Sequence, residues 1–539
     1  MSDSQKVALG LDFGTESVRA LLVDLAGREL ASAVSAYRHG QITDILPGTA
    51  EKLPPNFALQ HPQDWIDSAA LAVRGAVEKA GLTGDEIIGI GVDFTSCTML
   101  PAKRDGTPLC LLPEFAKDKF AWPKLWKHHG AEKQTERINE LARSRNEPWL
   151  DRYGGIIGLE WFFPKMLETL EEAPHVYDAA EVWLEAGDWF VWQLVDSAAV
   201  DLARSTCQAG YKAMWHSTEG YPSPEFFAEL NPKLANVVAE KMPGRMLAPG
   251  ESAGNLCQAM VERFGLKKSA PVSAATIDAH AGVPGAGAAD PGTLVMVMGT
   301  SSCHMLNGRD ERSVPGVAGV VEGGILPGLF GYETGQAAVG DAFDWLRQTV
   351  GEPNFDRLTK QAAVLPPGAE GVRCMDWLNG CRTPLMDGSL RGAFTGLTLG
   401  HGAPHMYRAL MEASAFGVRW IVELLRENGV PVEKFVATGG LPHHNPLLVQ
   451  IYADVLGEPI SVHPSQQGPA LGAAILGVIA AGPEASSFAT TQAAIAAMAG
   501  EIAGEKDRES VVVQPDQEAH NAYSRVYADY RKLGEFLAS

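Results

Sequence analysis

At 539 residues the chain exceeds what one hydrophobic core holds, so at least two domains are expected. Lysine plus arginine number 44 against 65 aspartates and glutamates, and the formal charge of −21 argues against nucleic acid or an anionic membrane as a partner. Seven scattered cysteines, never in a CxxC pair, support neither a disulfide framework nor a zinc site, and the opening MSDSQKVALG has no signal-peptide pattern, so a cytoplasmic protein is expected.

The first elements are three apolar runs, KVALGLDF, VRALLVDL and ELASAVSAY, joined by short turns, which predict an antiparallel meander. HPQDWIDSAALAVRGAVEKAG then predicts a helix, with Pro62 near its start, Asp64 as N-cap and Gly81 just past its end. IIGIGVDFTSCTML reads as a buried strand. From about 110 to 270 the pattern is helical and tryptophan-rich, as an insertion would be. Trp183, Trp189, Trp192 and Trp215 are expected in the core and cleft wall rather than as a nucleic-acid stacking platform.

The order then repeats. TLVMVMGTSSCHML gives strand, turn and strand, and GVAGVVEGG is a third short apolar run. A helix over 403–428 ends at Asn428-Gly429, and KFVATGG is the strand after it. Helix PLLVQIYADVLG, strand EPISV and helix ALGAAILGVIAAG follow, the last about 13 residues and too short for a bilayer. The Ala-rich 482–510 reads as a peripheral loop and helix, and EAHNAYSRVYADYRKLGEFL as an amphipathic helix. Two βββαβ halves mean duplicated α/β domains, each able to offer a loop to a shared cleft. The boundaries are placed at 1–287 and 288–539.

Two loops interrupt these apolar strands with polar and small residues: Asp12-Phe13-Gly14-Thr15 and Gly299-Thr300-Ser301-Ser302. Gly removes the Cβ that would keep a phosphate from backbone N–H groups, and hydroxyls add donors. Asp12 repels phosphate unless a divalent cation, held through water, lies between them. Asp12, Gly14, Thr15 and Arg19 would then face Gly299, Thr300 and Ser301 across one triphosphate. Either loop alone reads equally as an ordinary β-turn; the matched pair reads as one clamp.

ATGGLPHHNPLLVQ puts Gly439-Gly440 at the carboxyl end of a strand, where open α/β sheets bind ligands, although a plain strand-to-helix turn looks the same. His443-His444 lacks a third ligand at metal spacing. Asp278, in SAATIDAHAG at the junction of the halves, reads as a helix cap and also as a general base facing an acceptor hydroxyl.

The segments GLDFGTESVRALLVD, GVDFTSCTMLP, GYKAMWH, GYETGQAAVGDAFDWL and DWLNGCRTPLMDGSLRGAFTGLTLGH together resemble the FGGY carbohydrate kinases, over about residues 7 to 480. The resemblance implies a duplicated actin-like (ribonuclease-H-like) fold with a cleft between the domains. It implies ATP and Mg²⁺, with phosphoryl transfer to the C5 hydroxyl of L-ribulose. Asp12 would position Mg²⁺, with Thr15 and Arg19 near the phosphates; Gly299, Thr300 and Ser301 would form the second phosphate motif. Gly439, Gly440 and Asn445 would form the adenosine motif. Asp278 would be the catalytic base, and Lys212 and Glu333 would contact the sugar. Without the resemblance, Lys212 reads as a solvated surface lysine and Glu333 as a helix-start carboxylate. Ser96 replaces the alanine of the family's DFTACTM, and Glu16 stands where many members have aspartate. The added Ser96 hydroxyl beside the sugar leaves D-ribulose, xylulose or ribitol as alternative acceptors. More distant is an actin-like nucleotide-binding protein that phosphorylates no sugar. The partners expected are therefore a small sugar and ATP, without nucleic acid or membrane, and a homodimer stays open.

Overall fold

Tight turns at Gly14-Thr15 and Gly27 fold three apolar runs back on one another as β1 (Val7–Phe13), β2 (Ser17–Asp24) and β3 (Glu29–Ala36), antiparallel as expected. The computed structural model describes residues 6–500 and 509–539, so the first five residues of the opening and residues 501–508 of the Ala-rich stretch lie outside the described residues. Helix α1 (Pro62–Ala80) returns the chain so that β4 (Ile87–Phe94) runs parallel to β1. Gly81, at φ 66°, ends α1 in the left-handed conformation that glycine takes without strain. The N-cap is not Asp64 but His61, whose Nδ1 accepts from the backbone N–H of Gln63. Asp64 lies in the first turn and accepts instead from the backbone N–H of His39 at 2.7 Å.

The first sheet has the order β3-β2-β1-β4, continued by Pro271–Ser273 and Ser252–Asn255. Helix α2 (Asp278–Gly285) leads into the second half, where β5 (Thr293–Met298) and β6 (Ser302–Gly308) form the second hairpin. The expected third strand, β7 (Gly319–Glu322), is only the sheet edge; the strand paired with β6 is β8 (Phe330–Gln336). Its sequence FGYETGQ hides the strand, because two glycines and three polar side chains break the apolar signal that burial normally leaves. Helix α3 (Ala403–Glu427) then places β9 (Lys434–Thr438) parallel to β5, and β10 (Ile460–Val462) follows. The second sheet reads β7-β8-β6-β5-β9-β10 and closes on Val511–Val513. The two hairpins, β1-β2 and β5-β6, thus occupy matching places in two matching sheets.

Helix α4 (Gly468–Ser486) is longer than the apolar run suggested, continuing past a backbone break at Gly482 (φ 78°). It is long and apolar enough to cross a membrane by length and composition, yet it packs on β1, β4 and α2 inside the molecule. The contact is backbone to backbone: a Cβ on Gly91 would stand 1.7 Å from the Ala473 carbonyl oxygen, and one on Gly472 would stand 1.7 Å from that of Ala281. A helix late in the chain is therefore built into the face of the first sheet. Gly91→Val should cost about 1–3 kcal/mol of stability through overpacking, read as a lower urea midpoint; an unchanged midpoint would show that this face can yield.

The region expected as an insertion is helical, with its own apolar cluster around Trp149, Trp161, Phe163 and Trp183. It is less separate than expected, because helix Ala186–Val195 sends Trp189, Phe190 and Trp192 into the core of the first sheet. Thr491–Ala499 is helical, and Gln517–Ala538 lays Tyr523, Tyr527 and Tyr530 on the second core.

Candidate active site

Both hairpins end at one cavity of about 980 Å³. From the first half Asp12, Thr15, Thr95 and Ser96 line it; from the second, Gly299, Thr300, Ser301 and Glu333. Asp278 and Lys212 face the same space. Three ties hold the first turn: Gln60 Nε2 donates to the Thr15 carbonyl at 2.8 Å, Trp126 Nε1 to Thr15 Oγ1 at 3.0 Å, and Tyr37 Oη to the Gly14 carbonyl at 3.1 Å. The second turn is pinned through its carbonyls, with Val339 N–H donating to Thr300 and Gly340 N–H to Gly299, each at 3.0 Å. The Gly14 and Gly299 N–H groups close their own turns on the carbonyls of Ser17 and Ser301, each at 3.0 Å, so the donors these loops have left for the cavity come from Thr15, Thr300 and Ser301.

Carboxylates gather on the cavity floor. Parallel pairing of β1 with β4 sets Asp12 beside Asp93, and Asp93 is fully buried with no donor to either oxygen. Burial pushes Asp93 well above the usual carboxylate range, and the charges of Asp12 and Asp278 push it further. Burial also raises Asp12, against the neighbouring Asp93 carboxyl and the pull of Arg19. Such crowding of negative charge suits a divalent cation at Asp12, the member of the pair that reaches the cavity.

Asp278 opens α2 but is not its cap; the N-cap position falls on Ile277, and Asp278 Oδ1 accepts from the next backbone N–H, Ala279, at 2.7 Å. Burial pushes its carboxyl up to about 7. A carboxylate tuned to neutral pH and open to a cavity can take a proton from a hydroxyl placed there.

Lys212 and Glu333 are neither a solvated lysine nor a helix-start carboxylate. Lys212 closes the short helix Thr206–Lys212, Glu333 sits in the middle of β8, and both are buried. Lys212 Nζ reaches Glu333 Oε1 at 2.9 Å and Oε2 at 3.0 Å, and Arg382 Nη2 reaches Oε1 at 2.6 Å. Burial alone would raise Glu333, but the charges of Lys212, Arg382 and His280 hold it down to about 2. The carboxylate is therefore ionised and fixed in place.

Other expected residues stand outside the cavity wall. Arg19 lies along β2 with Nε 4.0 Å from Asp12 Oδ2 and Nη1 3.3 Å from Gln467 Oε1. Gly14 and Glu16 belong to the first turn, and Glu16 is turned to solvent, where it accepts from Gln41. Gly439, at φ 94°, runs so close behind the second hairpin that a Cβ there would stand 2.5 Å from the Met298 carbonyl oxygen. Gly440 starts the next short helix. Asn445 is fully engaged, accepting from Leu448 N–H as a cap and donating to Tyr407 Oη. Trp183, Trp189 and Trp192 are core; the tryptophans lining the cavity are Trp126 and Trp161.

The sequence reading missed Asp93, Arg382 and these two tryptophans. Asp93 left a signal, a charge inside the otherwise apolar run IIGIGVDF. Arg382 left none beyond its place in a quoted segment. Among the described residues, His39, His61 and Asp64 are the one group of metal-like composition, and its members are already committed. Asp64 binds His39, His61 Nδ1 caps α1, and the two rings stack at 4.6 Å.

Comparison with known proteins follows the same outline. The N-terminal domain model of the FGGY family of carbohydrate kinases matches residues 7–285, and the C-terminal domain model matches 294–481. The chain is 44% identical to a ribulokinase of Shouchella clausii, over 99% of this chain and 95% of that protein. A xylulose kinase structure from Rhodospirillum rubrum superposes with a TM-score of 0.79 at 22% identity, and covers 99% of both chains. Plasmodium falciparum glycerol kinase, solved with ADP, superposes with a TM-score of 0.78 at 16% identity, over 99% of this chain and 98% of that one.

Proposed function

The chain belongs to the FGGY family of carbohydrate kinases, and from that premise we propose that it is an ATP-dependent ribulokinase, phosphorylating L-ribulose at the C5 hydroxyl. The observation that carries the reading is the meeting of Asp278 with the buried Lys212–Glu333 pair in one cavity that also receives both glycine hairpins. A nucleotide switch that phosphorylates no sugar has no use for such a pocket.

In this reading the hairpins Gly14-Thr15 and Gly299-Thr300-Ser301 hold the phosphates, and the stretch Gly439-Gly440 behind the second hairpin takes the adenosine. Arg19 adds positive charge near the phosphates from β2. Asn445 serves the adenosine site by capping the helix that follows it. Asp12 would hold Mg²⁺ through water, backed by Asp93. Bound there, the cation would neutralise charge on the phosphate oxygens. Lys212 and Glu333 orient the sugar, with Ser96 beside it. Asp278 accepts the proton of the C5 hydroxyl as that oxygen attacks the terminal phosphorus. Rigid donors and an excluded solvent supply the remaining acceleration, because charge develops where the dipoles already point.

The Ser96 hydroxyl is what could move the choice of acceptor. ADP release followed by a coupled assay across L-ribulose, D-ribulose, xylulose and ribitol should give the highest kcat/KM with L-ribulose. Turnover of another acceptor with none for L-ribulose would overturn the assignment.

A further inference from the structure

Arg382 enters the cavity from the irregular segment between the strands Arg373–Met375 and Ala393–Thr395, outside both main sheets. Its Nη2 donates to Glu333 Oε1 at 2.6 Å and its Nη1 to Cys303 Sγ at 3.7 Å. A guanidinium has more N–H groups than these two contacts use. The side chain keeps 29% exposure, so the unused groups have access to the cavity.

Glu333, in contrast, has little left to offer. Its Oε1 accepts from both Lys212 and Arg382, and its Oε2 accepts from Lys212 with His280 Nε2 3.5 Å away. Two cations share one carboxylate, and the surface they turn to a ligand is rich in donors.

The chemistry of the acceptor says what such a surface can read. A 2-ketopentose closes its furanose ring by adding the C5 oxygen to C2, so the ring form has no C5 hydroxyl to phosphorylate. Transfer at C5 requires the open chain, whose C2 carbonyl oxygen accepts hydrogen bonds and cannot donate. A pentitol has a hydroxyl at C2 that does both. Paired donors therefore suit the ketone, since a hydroxyl can accept from the same donors but its own proton would find Glu333 already engaged, and a donor left unmatched in a closed site is costly.

We propose that Arg382, together with Lys212, donates to the C2 carbonyl oxygen of the open-chain ketopentose and so sets the preference for ketoses over pentitols. The inference rests on the L-ribulose reading above and adds to it a specificity-determining residue.

Arg382→Gln and Arg382→Lys test it. For each purified variant, kcat/KM for L-ribulose is measured alongside the dissociation constant of L-arabitol by calorimetry, in the same preparation. Arg382→Gln should lower kcat/KM for L-ribulose roughly 10- to 100-fold and leave L-arabitol binding within about threefold. Arg382→Lys should recover part of the loss. A parallel loss for both ligands, or no loss for L-ribulose, overturns the proposal, because Arg382 would then only hold Glu333 in place or do nothing at the sugar. Wild-type protein without L-ribulose turnover would instead overturn the underlying reading, which keeps the two failures apart.

Discussion

Asp278→Asn lowers turnover with L-ribulose by roughly two to four decades, the usual worth of a positioned general base, and leaves ADP binding within a few-fold. The substitution keeps an oxygen able to accept from Ala279 N–H, the hydrogen bond that the Asp278 carboxylate makes at the start of α2, so the fold should survive. A second signature accompanies the loss. Burial pushes the Asp278 carboxyl up to about 7, and a base works only when deprotonated. In the wild type kcat/KM should therefore rise as pH rises through about 7, and the variant's residual rate should lack that limb. Coupled ADP release against pH, with calorimetry for the nucleotide, measures both. Turnover within tenfold of wild type would remove Asp278 from the proton transfer.

Glu333→Ala has the second large effect, and it falls on stability as well as activity. Removing the carboxylate leaves Lys212 buried, with Arg382 beside it, and takes away the anion that both cations contact. Breaking a buried pair from one side typically costs about 3–5 kcal/mol, far more than the pair contributes against an apolar replacement. The double variant Lys212→Met/Glu333→Leu should recover much of the stability and none of the activity. Urea midpoints and sugar-dependent ADP release separate the two quantities. A single variant as stable as wild type would mean that water reaches the pair and that the pocket floor is not closed.

Much of the scaffold was legible in the sequence for local reasons. The turns at Gly14-Thr15 and Gly299-Thr300 announce themselves because glycine and hydroxyl residues interrupt continuous apolar strands. The helix ends at Gly81 and Asn428 follow from chain stops that act over one turn. β8 was missed for the complementary reason: it is buried by its neighbours β6 and β7, and its own residues carry a glycine-and-polar pattern instead of an apolar one. The cap of α1 was misassigned because His61 and Asp64 both offer acceptors within a few residues, and the demand of His39 for Asp64 comes from elsewhere in the chain.

By itself, the sequence determined the two repeated strand-and-helix halves, the polar hairpins within them and the family to which they belong, since these depend on residues close together along the chain. Only the tertiary structure decided that Lys212 meets Glu333 across 121 positions, that Asp93 lies beside Asp12, and that Arg382 reaches Glu333 in the same cavity. It also decided that α4 supports the first sheet through bare glycine backbone. Those contacts arise from sheet register and helix packing between distant segments. Neither leaves a period or a spacing in the chain, because the partner that gives each residue its role is supplied by the fold.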